Sequence, residues 1–129
     1  MVDTLGLIVG VAVGSAYSGD RDGLRVLLYR FRQAFLKLKL LWTDKGYNGE
    51  EMRDDLMEFG VEQEVIGGIR AKGQGFQVEP KRWIVERTFG WLGRYRRLSK
   101  DYEYLPSTSE NMIYLSMSRL MLKRINRMI

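Results

Sequence analysis

The chain of 129 residues contains no cysteine and no histidine. Without cysteine it has no disulfide framework and no thiolate metal site. Without histidine it can build neither a histidine-dependent triad nor an ordinary zinc centre, and histidine-dependent nicking of single strands is closed to it. Any metal must be held by carboxylates, and all-oxygen ligation favours Mg²⁺ or Mn²⁺. Only two prolines occur, and no linker, internal repeat or low-complexity tract divides the chain. A single domain over residues 1–129 with a modest core is expected. Long apolar runs are missing too. The most apolar segment, LGLIVGVAVGSAY, has 13 residues, short of the roughly 20 needed to cross a bilayer. No basic region precedes it, as a signal peptide would require. Gly6, Gly10 and Gly14 have the spacing of membrane helix packing, but the glycine and valine content fits a buried strand better. A cytoplasmic protein with no membrane partner is expected.

Positive charge is present, and it is concentrated. Net charge is +5, and residues 81–100, KRWIVERTFGWLGRYRRLSK, hold seven Lys and Arg against one acid, Glu86. That segment carries +6 and the remainder −1. Charge gathered in one segment points to a polyanion, most plausibly nucleic acid, although a solvated helix face would look the same.

The pattern predicts β-β-α-β-α-β-loop-α-α. Residues 2–5 and 7–17 read as two strands joined near Gly6. A helix follows from Asp22, a candidate N-cap, to about Leu36, with Leu24, Leu27, Leu28, Phe31 and Phe35 at helical spacing. LKLLWT (38–43) reads as a strand ending at Asp44, and residues 45–49 as a loop. A helix is expected from Glu50 to Phe59 with Gly60 at its C-terminal cap, then a half-exposed strand, VEQEVI (61–66). Residues 67–79 read as a mobile loop. Helices are predicted from Pro80 to about Leu98 and from about Ser109 to Ile125. In the last of these Met112, Leu115, Met117, Leu120 and Met121 read as a core face, with docking on a partner as the other use of a Met-rich stripe. Alternating strands and helices make an α/β domain.

On a helical wheel for 82–98, Ile84, Trp91, Leu92, Tyr95 and Leu98 share one side, flanked by Val85 and Phe89. Glu86 falls opposite, with Arg82, Arg94, Arg97, Gly90 and Gly93. Exposed helical glycines cost about 1 kcal/mol each relative to alanine, and one use for them is close approach of another backbone. Glu86 could serve as a structural partner for arginine, or as a metal ligand beside a bound phosphodiester. A second candidate ligand is Asp44, at the carboxyl end of a strand, where α/β folds gather their ligands. A lone Asp there also suits a turn or cap.

LLWTDKGYNGE and RWIVERTFGWLGRYRRLSKDYEYLPSTSENMIYLSMSRLML together resemble the C-terminal part of bacterial insertion-sequence transposases of the DDE class, and VDTLGLIVGVAVGSAYSGDRDG resembles the middle of the same family. The resemblance covers essentially the whole chain. It implies a ribonuclease-H-like fold, three carboxylates holding two Mg²⁺ ions, and cleavage of element ends with transfer of the 3′-hydroxyl to target DNA. By motif, Asp44 matches the second acid and Glu86 the third. Arg82, Arg87, Arg94, Arg97 and Lys100 become the expected DNA contacts, and the protein becomes nucleoid-associated.

The family's first acid lies on a strand before VDTLGL, and here Met1 stands directly before that segment. The expectation is therefore a truncated ribonuclease-H-like fold that lacks the first strand and has an additional C-terminal helix. Its metal would be weakly held and the chain inactive alone, completed by an upstream transposase fragment or by homo-oligomerisation. Asp3 is on the neighbouring strand but does not match the motif position. A remnant and the downstream half of a split reading frame are equally consistent with this, and so is a non-catalytic DNA-binding regulator of a full-length transposase. An apolar strand edge left open would invite aggregation or a partner chain.

Overall fold

Strand and helix alternate from Asp20 to Val65 as the α/β reading requires: α1 (Asp20–Arg30), β1 (Leu40–Thr43), α2 (Glu50–Glu58) and β2 (Glu62–Val65). Two further helices follow, α3 (Arg82–Leu92) and α4 (Pro106–Met128). The computed structural model describes residues 1–33, 36–67 and 81–128. The expected loop at 67–79, apart from Gly67, and the expected helix start at Pro80 lie outside these. The chain forms two compact units, Ser15–Arg82 and Met1–Gly14 with Trp83–Ile129.

In the first unit, α2 ends as its sequence predicts. Gly60 takes a left-handed φ of 70°, open to glycine at no steric cost. Its N–H donates to Met57 O and that of Val61 to Leu56 O. This bond pair closes a helix C-terminus and brings the residue after the glycine against the last apolar turn. Leu56 and Val61 are accordingly buried, with Met52, Leu24 and Leu28. The turn hands the chain to β2, which pairs parallel to β1 in the register Leu40↔Glu62 to Thr43↔Val65. Arg25 joins α1 to α2 through Asp55 at 2.6 Å and Glu51 at 2.7 Å. Helix α1 starts two residues before the expected N-cap. Gly19 occupies the cap, and Asp22 sits in the first turn, where its charge favours the helix dipole.

In the second unit the two expected N-terminal strands are absent. Val2 and Ile8 form one antiparallel bridge around a tight turn. The Asp3 carboxylate accepts from the N–H groups of Leu5 and Leu7 at 2.9 and 2.8 Å. Beyond the turn, backbone donors find side chains instead of a strand. Val11 N–H donates to the Tyr114 hydroxyl and Val13 N–H to Glu110 Oε1, each at 2.9 Å. Both partners lie on α4. That helix starts at Pro106, which costs nothing in a first turn. Its buried residues are Ser109, Ser116 and Met117. Of the expected Met and Leu face, Leu115 is exposed, at 65%, and Met121 partly so, at 38%.

Helix α3 stops at Leu92, six residues before the predicted end, and Gly93 follows it. Gly90 and Gly93 weaken the last turn, and a separate 3₁₀ turn spans Arg96–Leu98. The wheel also misplaces Val85 and Phe89, which are 42% and 67% exposed. The buried position belongs to Thr88. Its hydroxyl is placed to bond with Gly6 O at 2.7 Å and Ile84 O at 3.0 Å, so a polar group is buried without being orphaned. Gly6 has φ of 78°, and a Cβ there would lie 2.9 Å from Thr88 Oγ1. Gly6→Ala is expected to destabilise the chain by about 2 kcal/mol, from backbone strain plus displacement of Thr88. Chemical denaturation checks this.

Candidate functional site

Asp44 follows the last residue of β1 in extended conformation and caps the 3₁₀ turn Lys45–Tyr47, its Oδ1 accepting from Gly46 N–H at 3.0 Å. The strand leads to it firmly. Ile66 N–H donates to Thr43 O at 2.7 Å. Gln63 Nε2 donates to both Thr43 Oγ1 and Tyr47 O at 2.9 Å. The turn that carries Asp44 is thus tied to β2 from both sides. Asp44 is exposed, and it lines a shallow hollow with Lys45, Gly46, Ile66 and Arg82. Two of the residues singled out from the sequence, Asp44 and Arg82, are brought together here.

A residue the sequence reading passed over stands beside them. A Cβ on Gly46 would lie 2.9 Å from Asp20 Oδ2 and 3.2 Å from Asp44 Oδ1. Two carboxylates therefore converge beside Gly46, and a Cβ there would displace the end of the Asp20 side chain. Nothing in the turn Ser18–Gly19–Asp20 distinguishes Asp20 from an ordinary helix-start acid. Partial burial, then the charges of Asp20 and Asp44, push the Tyr47 phenol above the ordinary tyrosine range. The neutral phenol is the form favoured by the fold. This stability is complete below the unfolded value of about 10 and is lost as pH rises through the folded one. A spectrophotometric titration is expected to lose an alkaline tyrosinate step in Tyr47→Phe, and to show that step moved downward in Asp44→Asn.

Glu86 belongs to the other unit. It is exposed in the second turn of α3, on the same side as Gly90 four residues on. Space around Gly90 is open: apart from its chain neighbours and its own helix backbone, no atom of the described residues would lie within 4 Å of a Cβ there. Arg94, Arg97 and Lys100 are exposed. Arg97 pairs with Glu103 and, with Lys100, lines a hollow that includes Ser109, Met112 and Ile113.

Arg87 is half-buried and held within its own unit. Its Nη2 donates to Leu5 O at 2.7 Å, and its guanidinium lies 4.6 Å from the Trp83 ring and 4.9 Å from that of Trp91. Counting charges along a basic segment cannot distinguish such an arginine from one facing solvent.

The donor set that these positions offer to a metal is oxygen only, which suits a hard divalent cation. Among the described residues no group of three or more Asp or Glu side chains is gathered as a ligand cluster. No helix among them is long and apolar enough to cross a membrane.

Comparison with known proteins places these positions in a family. Residues 41–123, which include Asp44 and Glu86, match the family model described as Transposase DDE domain. A Burkholderia cepacia protein described as "Putative transposase for insertion sequence element IS402" is 34% identical over 65 residues, an alignment that takes in 50% of this chain and 30% of that protein. The match thus spans under a third of the relative's length. No solved structure matches the chain. With well over half of its residues inside the family match, the chain belongs to the insertion-sequence transposases of the DDE class.

Proposed function

We propose that the chain forms part of a ribonuclease-H-like catalytic domain in which Asp44 and Glu86 hold a divalent cation, Mg²⁺ or Mn²⁺, against a DNA phosphodiester. The observation that carries this reading is the position of Asp44. It stands at the carboxyl end of β1, in a parallel β1–β2 pair connected through α2, the place where such folds present ligands. Its motif, and that of Glu86, fall within the family match.

Family membership implies dependence on a divalent metal in general. When bound, such an ion would lower the pKa of a water or 3′-hydroxyl and steady the leaving oxygen. The side chains of Asp44 and Glu86 supply its oxygen ligands. Arg82, Arg94, Arg97 and Lys100 hold the DNA backbone, and the forked guanidinium suits phosphate oxygens. The glycine gap beside Glu86 leaves room for the sugar–phosphate chain. Completion of the ligand set by a further acid, from an upstream segment or a second copy, is part of the same proposal. DNA is the partner in either case.

A second reading, a non-catalytic DNA-binding regulator, draws on the same basic residues and makes no use of Glu86. Both predict that the logarithm of DNA affinity falls linearly with the logarithm of salt, with Arg94→Ala lowering the slope by about 1. Fluorescence anisotropy on a short duplex measures it, and a slope unchanged in Arg94→Ala removes that residue from the interface. The two readings part over metal. If DNA affinity rises with Mn²⁺ in the parent chain but not in Glu86→Gln, the catalytic reading stands. Indifference of both to Mn²⁺ favours the regulator.

A further inference from the structure

The two residues that follow Glu86 are both fastened to the same turn. Arg87 Nη2 donates to Leu5 O and Thr88 Oγ1 to Gly6 O, each at 2.7 Å. The turn is itself stiff: Asp3 N–H donates to Leu7 O at 2.8 Å and Gly6 N–H to Asp3 O at 3.0 Å, while the Asp3 carboxylate accepts from Leu5 and Leu7. Consecutive side chains thus hold consecutive carbonyls of a braced loop. Trp83 and Trp91, one helical turn to either side of Arg87, cover its guanidinium, and Arg124 lies 4.3 Å from the Trp91 ring. A Cβ on Gly6 would crowd Thr88, Arg87 and Trp91 together, at 2.9, 3.2 and 3.3 Å. Close approach of the loop is therefore built into the sequence.

Thr88 sits roughly 200° around α3 from Glu86, at the rear of the helix. An anchor there sets the rotation of the helix about its axis, and bonds from two successive residues also set its height. Rotation matters for a ligand. Turning a helix by about 10° moves a carboxylate roughly 6 Å off the axis by about 1 Å. Metal–oxygen distances tolerate about 0.2 Å.

We propose that Arg87 and Thr88 are positioning residues for Glu86: bound to the carbonyls of Leu5 and Gly6, they lock the orientation of α3 and aim the carboxylate at its cation. Arg87 is then a structural arginine inside a basic segment, and it leaves DNA contact to its neighbours. This rests on the reading of Glu86 as a metal ligand.

Mn²⁺ binding to the full chain, followed by electron paramagnetic resonance, tests it, with circular dichroism confirming the fold of each variant. Glu86→Gln is expected to weaken Mn²⁺ at least tenfold. Thr88→Val and Arg87→Leu should weaken it roughly 10- to 100-fold, the range seen when the supports of metal ligands are removed. Thr88→Ser, which keeps the hydroxyl, should stay within about threefold of the parent, a rescue that loss of packing alone does not give. In a Glu86→Gln background neither clamp variant should weaken Mn²⁺ further. Should Thr88→Val fail to fold, Arg87→Lys carries the test, because it keeps the charge and loses the stacked plane. If Glu86→Gln weakens Mn²⁺ while the folded clamp variants bind as the parent does, the positioning role is overturned and the ligand assignment stands. If Glu86→Gln itself changes nothing, the ligand assignment falls and the positioning role falls with it.

Discussion

Asp44→Asn is expected to lower strand cleavage by on the order of 10²–10³-fold, the scale of removing one electrostatic partner of a transition state. The measurement is made in a full-length relative whose matching part is exchanged for this chain. DNA affinity should change by less than about threefold, because the basic residues proposed to neutralise phosphate are untouched. The expectation follows from the division of labour among the side chains. Asp44 is held by Gly46 N–H through one oxygen, and asparagine can accept the same bond, so the turn and the end of β1 survive the change. On the proposed reading, what disappears is one negative charge that would face the cation. Glu86→Gln should behave alike, and the double variant should be little worse than either single one, since residues serving one ion act as a unit. A cleavage rate within tenfold of the parent would remove Asp44 from the ligand set.

The largest effect on stability is expected from Leu56→Ala. Leu56 and Met52 have no exposed surface, and Val61 packs in directly after the Gly60 turn. Truncation opens a cavity and should cost about 3 kcal/mol, a large share of the 5–15 kcal/mol available to a typical domain. A fall in melting temperature of roughly 10 °C is expected. Leu122→Ala makes the matched control. Leu122 is 66% exposed, and its removal should stay within about 0.5 kcal/mol. The contrast reads out where the core lies. Most of the buried apolar residues found, Leu24, Leu28, Met52, Leu56 and Val61, belong to the unit Ser15–Arg82, against Met117 in the other. Equal melting of both variants would show that this core does not limit stability.

What could be read from the sequence follows from how local each signal is. Helix α2, its glycine cap and β2 obey rules that act within five or six residues, and they appear where expected. The end of β1, and with it Asp44, was legible because an acid breaks an apolar run. The N-terminal segment was not. Valine, isoleucine and glycine fit a strand, but a strand needs a ladder. Here the donors of Val11 and Val13 are met by Tyr114 and Glu110, some hundred residues away. The helical wheel assigned Thr88 to neither face, and its burial rests on two carbonyls that accept from its hydroxyl inside the fold. Asp20 carries no local signal at all. Only the fold brings it to Gly46.

Whether Asp44 and Glu86 share one cation is read most directly from a double-mutant cycle on Mn²⁺ affinity with Asp44→Asn and Glu86→Gln. Each single variant should lose most of the binding, and the double variant little more, giving a large coupling between two residues 42 positions apart in the chain. Losses that simply add, or affinity that neither change disturbs, would contradict a shared ion.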